Sequence, residues 1–322
     1  MTTALVTGAA GFLGAAIVAR LRGDGVRVRA LVRPGRACGA DERCEGDLCD
    51  DAVLARAVAG VDWVIHAGAR VSTTGPWDEF ESTNVRATRE LIRLAVAAGV
   101  GRIVHVSSLS VYAVPRNNAV VSEDDAYDDG GDERGSYARS KLLADQAAMA
   151  AIAQGAPVTV VRPGLLYGPG RRPSLARKSA ALGPFRLLLA SPGYLLPLAY
   201  VDNVAEAIAL AAASPRAVGR AYTIVDVHAR QADYARYYRR ITGATWRAVY
   251  PPLRLVRLGA TLLERGFRLA GRRAPITRHQ VERTLRSATF VTRRAQDELG
   301  WQPRVPVTEA LRRTLAPAPT PA

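Results

Sequence analysis

Tyr137 and Lys141 carry the most specific chemistry in the sequence. They stand four residues apart in Ser136-Tyr137-Ala138-Arg139-Ser140-Lys141, so on a helix they share one face. An ammonium beside a phenol favours the phenolate and draws the tyrosine toward the working pH range. The pair then serves as proton donor and acceptor for carbonyl–alcohol chemistry. The chain holds only two lysines, Lys141 and Lys178, among 44 basic residues, so composition does not explain a lysine at this spacing. A second stretch, Thr3-Ala-Leu-Val-Thr-Gly-Ala-Ala-Gly-Phe-Leu-Gly14, sets Gly8, Gly11 and Gly14 at three-residue intervals. An apolar run, Ala4 to Val6, precedes the glycines and a helical pattern, Ala15 to Arg22, follows them. Strand, glycine turn and helix N-terminus make a phosphate seat. The glycines let backbone approach a pyrophosphate, and free N–H groups with the positive dipole end hold its charge.

These groups need a scaffold, and the pattern between them supplies one. Val26 to Val32 reads as a second strand, Asp51 to Ala59 as a helix, and Val61 to Ile65 as a strand ending at His66-Ala-Gly-Ala69. A helix runs from about Thr83 to Ala98 and stops at Gly99. Arg102 to Val106 is a strand ending in Ser107-Ser108, and the tyrosine helix runs from about 137 to 152. Val158 to Val161 is strand, Val201 to Ala213 helix and Ala221 to Val225 strand. This alternation predicts an α/β Rossmann fold, a doubly wound parallel sheet with right-handed crossovers. Past Arg162 the pattern loosens, and 183–197 mixes Gly, Pro and Leu without a clear period. The expected division is therefore a dinucleotide-binding domain of 1–167 and 200–226, a smaller, discontinuous substrate-binding part of 168–199 and 227–315, and a disordered Pro-rich tail of 316–322. In a doubly wound sheet ligands bind at the carboxyl ends of the strands. Gly8–Gly14, His66–Ala69, Ser107-Ser108 and Arg162-Pro163 all fall there, so one cleft is expected to gather a phosphate seat, a hydroxyl donor and a tuned phenol.

Composition narrows the classes. Nearly half of the 322 residues are hydrophobic, enough for a full core, and no run of 18 apolar residues occurs. The N-terminus begins a strand and not a signal peptide, so a soluble cytoplasmic protein is expected. Cys38, Cys44 and Cys49 match no zinc spacing; free thiols and no metal are expected. The net charge of +15 comes from arginines scattered through every segment, with no aromatic-interleaved stripe. That distribution argues for compositional bias and against specific nucleic-acid binding.

The sequence resembles the extended short-chain dehydrogenase/reductases, also called the NAD-dependent epimerase/dehydratase family, from Ala4 through Leu315. The likeness rests on Thr7-Gly-x-x-Gly-x-x-Gly14, Gly46-Asp47-Leu48, Thr83-Asn84-Val85, Val106-Ser-Ser-x-Ser-Val-Tyr112, Tyr137-x-x-Ser-Lys141, Arg162-Pro-Gly-x-x-Tyr-Gly-Pro169 and Tyr200-Val-Asp-Asn203. It implies that Tyr137 is the acid/base, that Lys141 binds the nicotinamide ribose and tunes Tyr137, and that Ser108 hydrogen-bonds the substrate oxygen; Ser107 could substitute. It also implies cofactor contacts from Gly8, Gly11, Phe12, Leu13 and Gly14, from Asp47 and Leu48 beside the adenine, and from Ala67, Gly68 and Ala69. Asn84 and Pro163 complete that set. Departures are small: Gly68, Ala87 and Ala113 each replace a residue usual in the family, and none touches the catalytic set. Thr277 to Val281, Ser287 to Thr292 and Ala295-x-x-Glu-Leu-Gly-Trp-x-Pro303 look like the 3β-hydroxysteroid dehydrogenase branch. The implied substrate is a lipophilic, sterol-like or long-chain 3-oxo/3-hydroxy molecule, and the implied activity is hydride transfer at a secondary alcohol or ketone. The alternative is a nucleotide-sugar epimerase or dehydratase with tightly held NAD.

The second strand bears on the cofactor. NAD enzymes of this fold carry an acid at its end for the ribose hydroxyls. Here the strand ends Ala30-Leu-Val-Arg33-Pro-Gly-Arg36, and Arg33 can pair with a 2′-phosphate. NADP(H) is thus expected to be preferred, with NAD(H) still open. In 253–270, Leu253, Val256, Ala260, Leu263 and Phe267 share one helical face, with arginines largely off it. Packing against its own domain or lining an apolar pocket is the favoured reading; peripheral membrane contact is the other. A homodimer also stays open.

Overall fold

The computed structural model describes residues 1–72, 74–129, 135–172, 179–188, 190–272, 274, 281–282 and 285–315. The predicted tail 316–322 and the 275–280 part of the C-terminal motifs lie outside them. The central sheet has seven strands, numbered here within that sheet: β1 (Thr3–Thr7), β2 (Arg27–Val32), β3 (Glu42–Glu45), β4 (Trp63–His66), β5 (Arg102–Val106), β6 (Val158–Pro163) and β7 (Ala221–Ile224). Their spatial order is β3-β2-β1-β4-β5-β6-β7, every pair parallel. Both faces of such a sheet are covered, which is why its strands read as nearly continuous apolar runs. Val6, Ile65, Val104 and Val161 pack against helices Phe12–Gly23 and Val201–Ala213. Leu5, Val64, Ile103 and Val160 pack against helices Asp51–Val58, Ala87–Ala97 and Ser136–Ala153. The strand order reverses between β1 and β4, and a doubly wound sheet opens its ligand crevice at that point.

The structure departs from the sequence reading where periodicity was weak. The helix expected from Thr83 starts earlier, at Trp77–Phe80, widens into a π turn over Glu81–Arg86, and continues as Ala87–Ala97. Gly99 stops it with φ +73°, as expected of a C-terminal glycine. The stretch 183–197, without a period in the sequence, contains strands. Leu165–Tyr167, Leu195–Tyr200 and Val227–Arg230 form one small sheet, and Ser179–Leu182, Phe185–Leu188 and Arg247–Val249 form another. Ala288–Phe290 pairs in parallel with Ala119–Val121. Most of these strands have three or four residues, too few positions to reveal a period, and the six-residue Leu195–Tyr200 pairs only with segments distant in the chain.

Candidate active site

The glycine turn is fixed by sterics. Gly8 has φ +68°, and a Cβ there would lie 2.7 Å from Gly68 Cα. A Cβ on Gly14 would lie 2.0 Å from Gly8 O, so Gly14 seats the helix under the turn and does not itself line the cleft. Gly11 caps helix Phe12–Gly23 without a side-chain hydrogen bond. Its first-turn N–H groups are left for a ligand. Around this turn lies a cleft of about 990 Å³. It is lined by Gly8, Gly11, Phe12, Leu13, Arg33, Asp47, Leu48, Ala67, Gly68, Ala69, Ser108, Tyr137, Lys141 and Pro163. Every expected site residue except Gly14 and Asn84 therefore meets in one place. An uncapped helix end and a turn that excludes side chains fit a dinucleotide pyrophosphate.

Asn84 works behind the cleft. Its Oδ1 accepts from the Arg70 N–H (2.7 Å), and its Nδ2 donates to Arg70 O (3.1 Å) and to Ser140 Oγ (2.8 Å). Ser140 in turn donates to the carbonyl of Tyr137 (2.9 Å). Asn84 thus holds the Arg70 backbone and the first turn of helix Ser136–Ala153, and that helix presents Tyr137 and Lys141 to the cleft. Lys141 is 4% exposed and donates to Val106 O at 2.6 Å. Burial pulls its ammonium down to about 8, partly offset by Asp145. Ser108 lies at the end of β5, its Oγ accepting from the Ser110 N–H (3.1 Å). Ser107 also lines the cleft, and its buried Oγ has no hydrogen-bond partner among the described residues.

Two histidines missed as a group lie under the cleft. Strand register sets Thr7 beside His66 and His66 beside His105. The Gly68 N–H donates to Thr7 Oγ1 (3.0 Å), which lies 2.8 Å from His66 Nδ1. His66 Nε2 lies 2.9 Å from Thr88 Oγ1, whose proton goes to Asn84 O (2.6 Å). In the neutral ring that burial enforces, the proton sits on Nε2, so that Thr7 donates to Nδ1 and Nε2–H donates to Thr88. Burial and the Lys141 charge pull His66 down to about 3. The same two causes hold His105 well below its ordinary value, and both its nitrogens lack partners among the described residues. The ring centroids stand 5.4 Å apart.

Both rings are neutral when folded and take a proton near 6.5 when unfolded. Their contribution to stability is therefore complete above about pH 6.5 and falls as pH drops below it, toward about 3 for His66. His105→Leu removes one such group without breaking a hydrogen bond. The fall in melting temperature between about pH 7.5 and about pH 5 should shrink in this variant. An unchanged fall would show that His105 is not held neutral.

Arg162 and Pro163 lie at a strand end as expected, but the structure turns Arg162 inward, 2% exposed, and of the two only Pro163 reaches the cleft. Its Nε and one Nη2 proton meet the Asp145 carboxylate at 2.9 and 2.8 Å. The other three N–H groups reach Tyr112 Oη, Glu123 O and Tyr127 Oη at 2.8–3.1 Å. At the end of β2, Arg33 and Arg36 line the cleft, are exposed, and make no ion pair among the described residues. Arg70, Arg171, Leu165, Leu166 and Pro197 also line it without having been singled out. Arginine is too common in this chain for any one to stand out.

A switch-point cleft with a glycine phosphate seat and a Tyr-x-x-x-Lys helix defines an oxidoreductase of the extended short-chain dehydrogenase/reductase type. The NAD dependent epimerase/dehydratase family model matches residues 4–225, and the chain belongs to that family. It is 30% identical to a 2-alkyl-3-oxoalkanoate reductase of Stenotrophomonas maltophilia (strain K279a), over 97% of this chain and 98% of the relative. It is also 30% identical to a 3 beta-hydroxysteroid dehydrogenase/Delta 5→4-isomerase of Mycobacterium tuberculosis (strain CDC 1551 / Oshkosh), over 95% and 88%. Among solved structures it is similar to MoeE5 in complex with UDP-glucose and NAD, with a TM-score of 0.74, 27% identity and 97% of each chain covered.

Proposed function

We propose that the protein is an NADP(H)-preferring oxidoreductase that interconverts a secondary alcohol and a ketone on a lipophilic molecule. The observation that carries this reading is that Tyr137, Lys141 and Ser108 line one cleft with the glycine turn. A bound nicotinamide dinucleotide would supply or accept the hydride. Tyr137 then protonates or deprotonates the substrate oxygen, and Ser108 orients that oxygen by a hydrogen bond. Lys141, within the cleft one helical turn from Tyr137, favours the phenolate and binds the nicotinamide ribose. Leu109, Leu165, Leu166 and Pro197 give the same cleft apolar wall for a lipophilic substrate. The relatives that reduce 3-oxoalkanoates and oxidise 3β-hydroxysteroids support that class. The likeness to MoeE5 favours a second reading, a nucleotide-sugar enzyme, which would copurify with stoichiometric NAD. A screen of ketones, 3-oxo acids and sterols with both cofactors separates the two.

The cofactor preference rests on Arg33. A 2′-phosphate carries nearly two negative charges, and a guanidinium meets it with two parallel hydrogen bonds. A charged contact of this kind is worth roughly tenfold to a hundredfold in affinity. NADPH should bind at least about tenfold more tightly than NADH, Arg33→Ala should erase most of the difference, and salt should narrow it. Dissociation constants for both cofactors in both proteins test this. Equal wild-type affinities would remove the assignment and return the nucleotide-sugar reading to the front.

A further inference from the structure

Helix Leu253–Leu269 has two apolar rows. The row expected from the sequence largely packs inward: Ala260 is 9% exposed and Leu253, Val256 and Phe267 are half-buried, with Leu263 the exception at 42%. A second row faces water. Leu255, Leu258 and Leu262 are 55–57% exposed and Leu269 is 91% exposed, at spacings that keep all four within one narrow arc of the helix. Scattered exposed leucines are ordinary, but a leucine row along one helix marks an interaction face. Arg254, Arg257, Arg265 and Arg268 run beside it. Arg257 pairs with Glu282 and Arg268 with Glu264, the only acid of the helix, whereas Arg254 and Arg265 make no ion pair among the described residues. In the small sheet whose strand Arg247–Val249 precedes the helix, Leu182 and Phe185 are also exposed, at 62% and 40%.

We propose that this helix docks the protein on an anionic lipid surface, lying in the headgroup plane with the leucine row in the acyl boundary and the arginines on the phosphates. Helices with an apolar face and an arginine-rich flank bind this way, through buried apolar area plus attraction to anionic lipid. The net charge of +15 adds to the attraction. Among the described residues no helix is long and apolar enough to cross a membrane, so the contact is peripheral. A second copy of the chain fits less well. Two such faces would bring arginine-flanked rows together, and the one helix carboxylate is already paired.

Flotation of the full chain with vesicles tests the proposal. Vesicles of phosphatidylcholine with about one-third phosphatidylglycerol should carry the protein, pure phosphatidylcholine should not, and salt should weaken the association. Leu258→Asp with Leu262→Asp should lower the bound fraction about tenfold or more. Arg254→Glu with Arg265→Glu should lower it too and reduce its salt dependence. Unchanged dinucleotide affinity in both variants shows that they fold. No association of the wild type with the anionic vesicles overturns the proposal, as does a leucine variant that floats like the wild type. A dimer that the leucine variant splits, with no vesicle binding, assigns the row to a second copy and also overturns it.

Discussion

Tyr137→Phe should lower turnover by a factor on the order of 10² to 10⁴, the usual worth of a positioned general acid, while dinucleotide affinity stays near wild type. The substitution keeps the ring and the backbone carbonyl that accepts from Ser140, so the hydrogen bonds seating the helix survive. What disappears is the proton at the substrate oxygen. Lys141→Met removes both roles assigned to that lysine. It should weaken cofactor binding as well as turnover, because a buried ammonium held by Val106 O is replaced by an uncharged chain of similar length. Ser108→Ala should act mainly on turnover, and its combination with Ser107→Ala tells which hydroxyl serves the oxygen. Steady-state rates with the best ketone of the screen, alongside cofactor titrations, read all of these. Near-normal turnover of the Tyr137 variant would remove that residue from the mechanism.

The parts of the site that follow from chain connectivity were legible in the sequence. Gly8 and Gly11 need a strand before and a helix after, and those elements announce themselves by apolar runs and period. Tyr137 and Lys141 need only a helix. What the sequence hid were contacts made across strands. The Gly68–Thr7–His66–Thr88–Asn84 chain joins residues up to 81 positions apart and depends on parallel register, which no local pattern encodes. Asn84 was legible as a motif but not as the clamp on Arg70 and Ser140. Arg162 misled because strand-end position alone does not say which way a side chain turns. The last residues of a strand point alternately to either face, so Arg162 went under the sheet while Pro163 reached the cleft. The outward leucine row was hidden for a related reason. A helix with apolar residues over most of its circumference does not reveal in sequence which arc its own fold will cover.

The network around Arg162 carries the second large effect. Arg162 and Asp145 are 2% and 0% exposed, and their ion pair is closed by two tyrosine hydroxyls and a backbone carbonyl, so all five guanidinium protons are used. A buried pair contributes little relative to well-packed apolar residues, but removing one partner strands a charge in a medium that cannot solvate it. Such losses cost about 3–5 kcal/mol. Asp145→Ala should therefore lower the melting temperature by on the order of 10 °C. Arg162→Met combined with Asp145→Leu should recover part of that loss, since no unpaired charge is left inside. A single variant melting within about 2 °C of wild type would show that water or a shifted neighbour already solvates the guanidinium. The same substitution reaches the cleft. Asp145 lies one turn beyond Lys141 and its charge holds the Lys141 ammonium up against burial. Without it, Lys141 should give up its proton below about 8, and cofactor affinity should fall at a lower pH than in the wild type. A pH profile of affinity that does not move would detach Asp145 from the lysine and leave it a structural group alone.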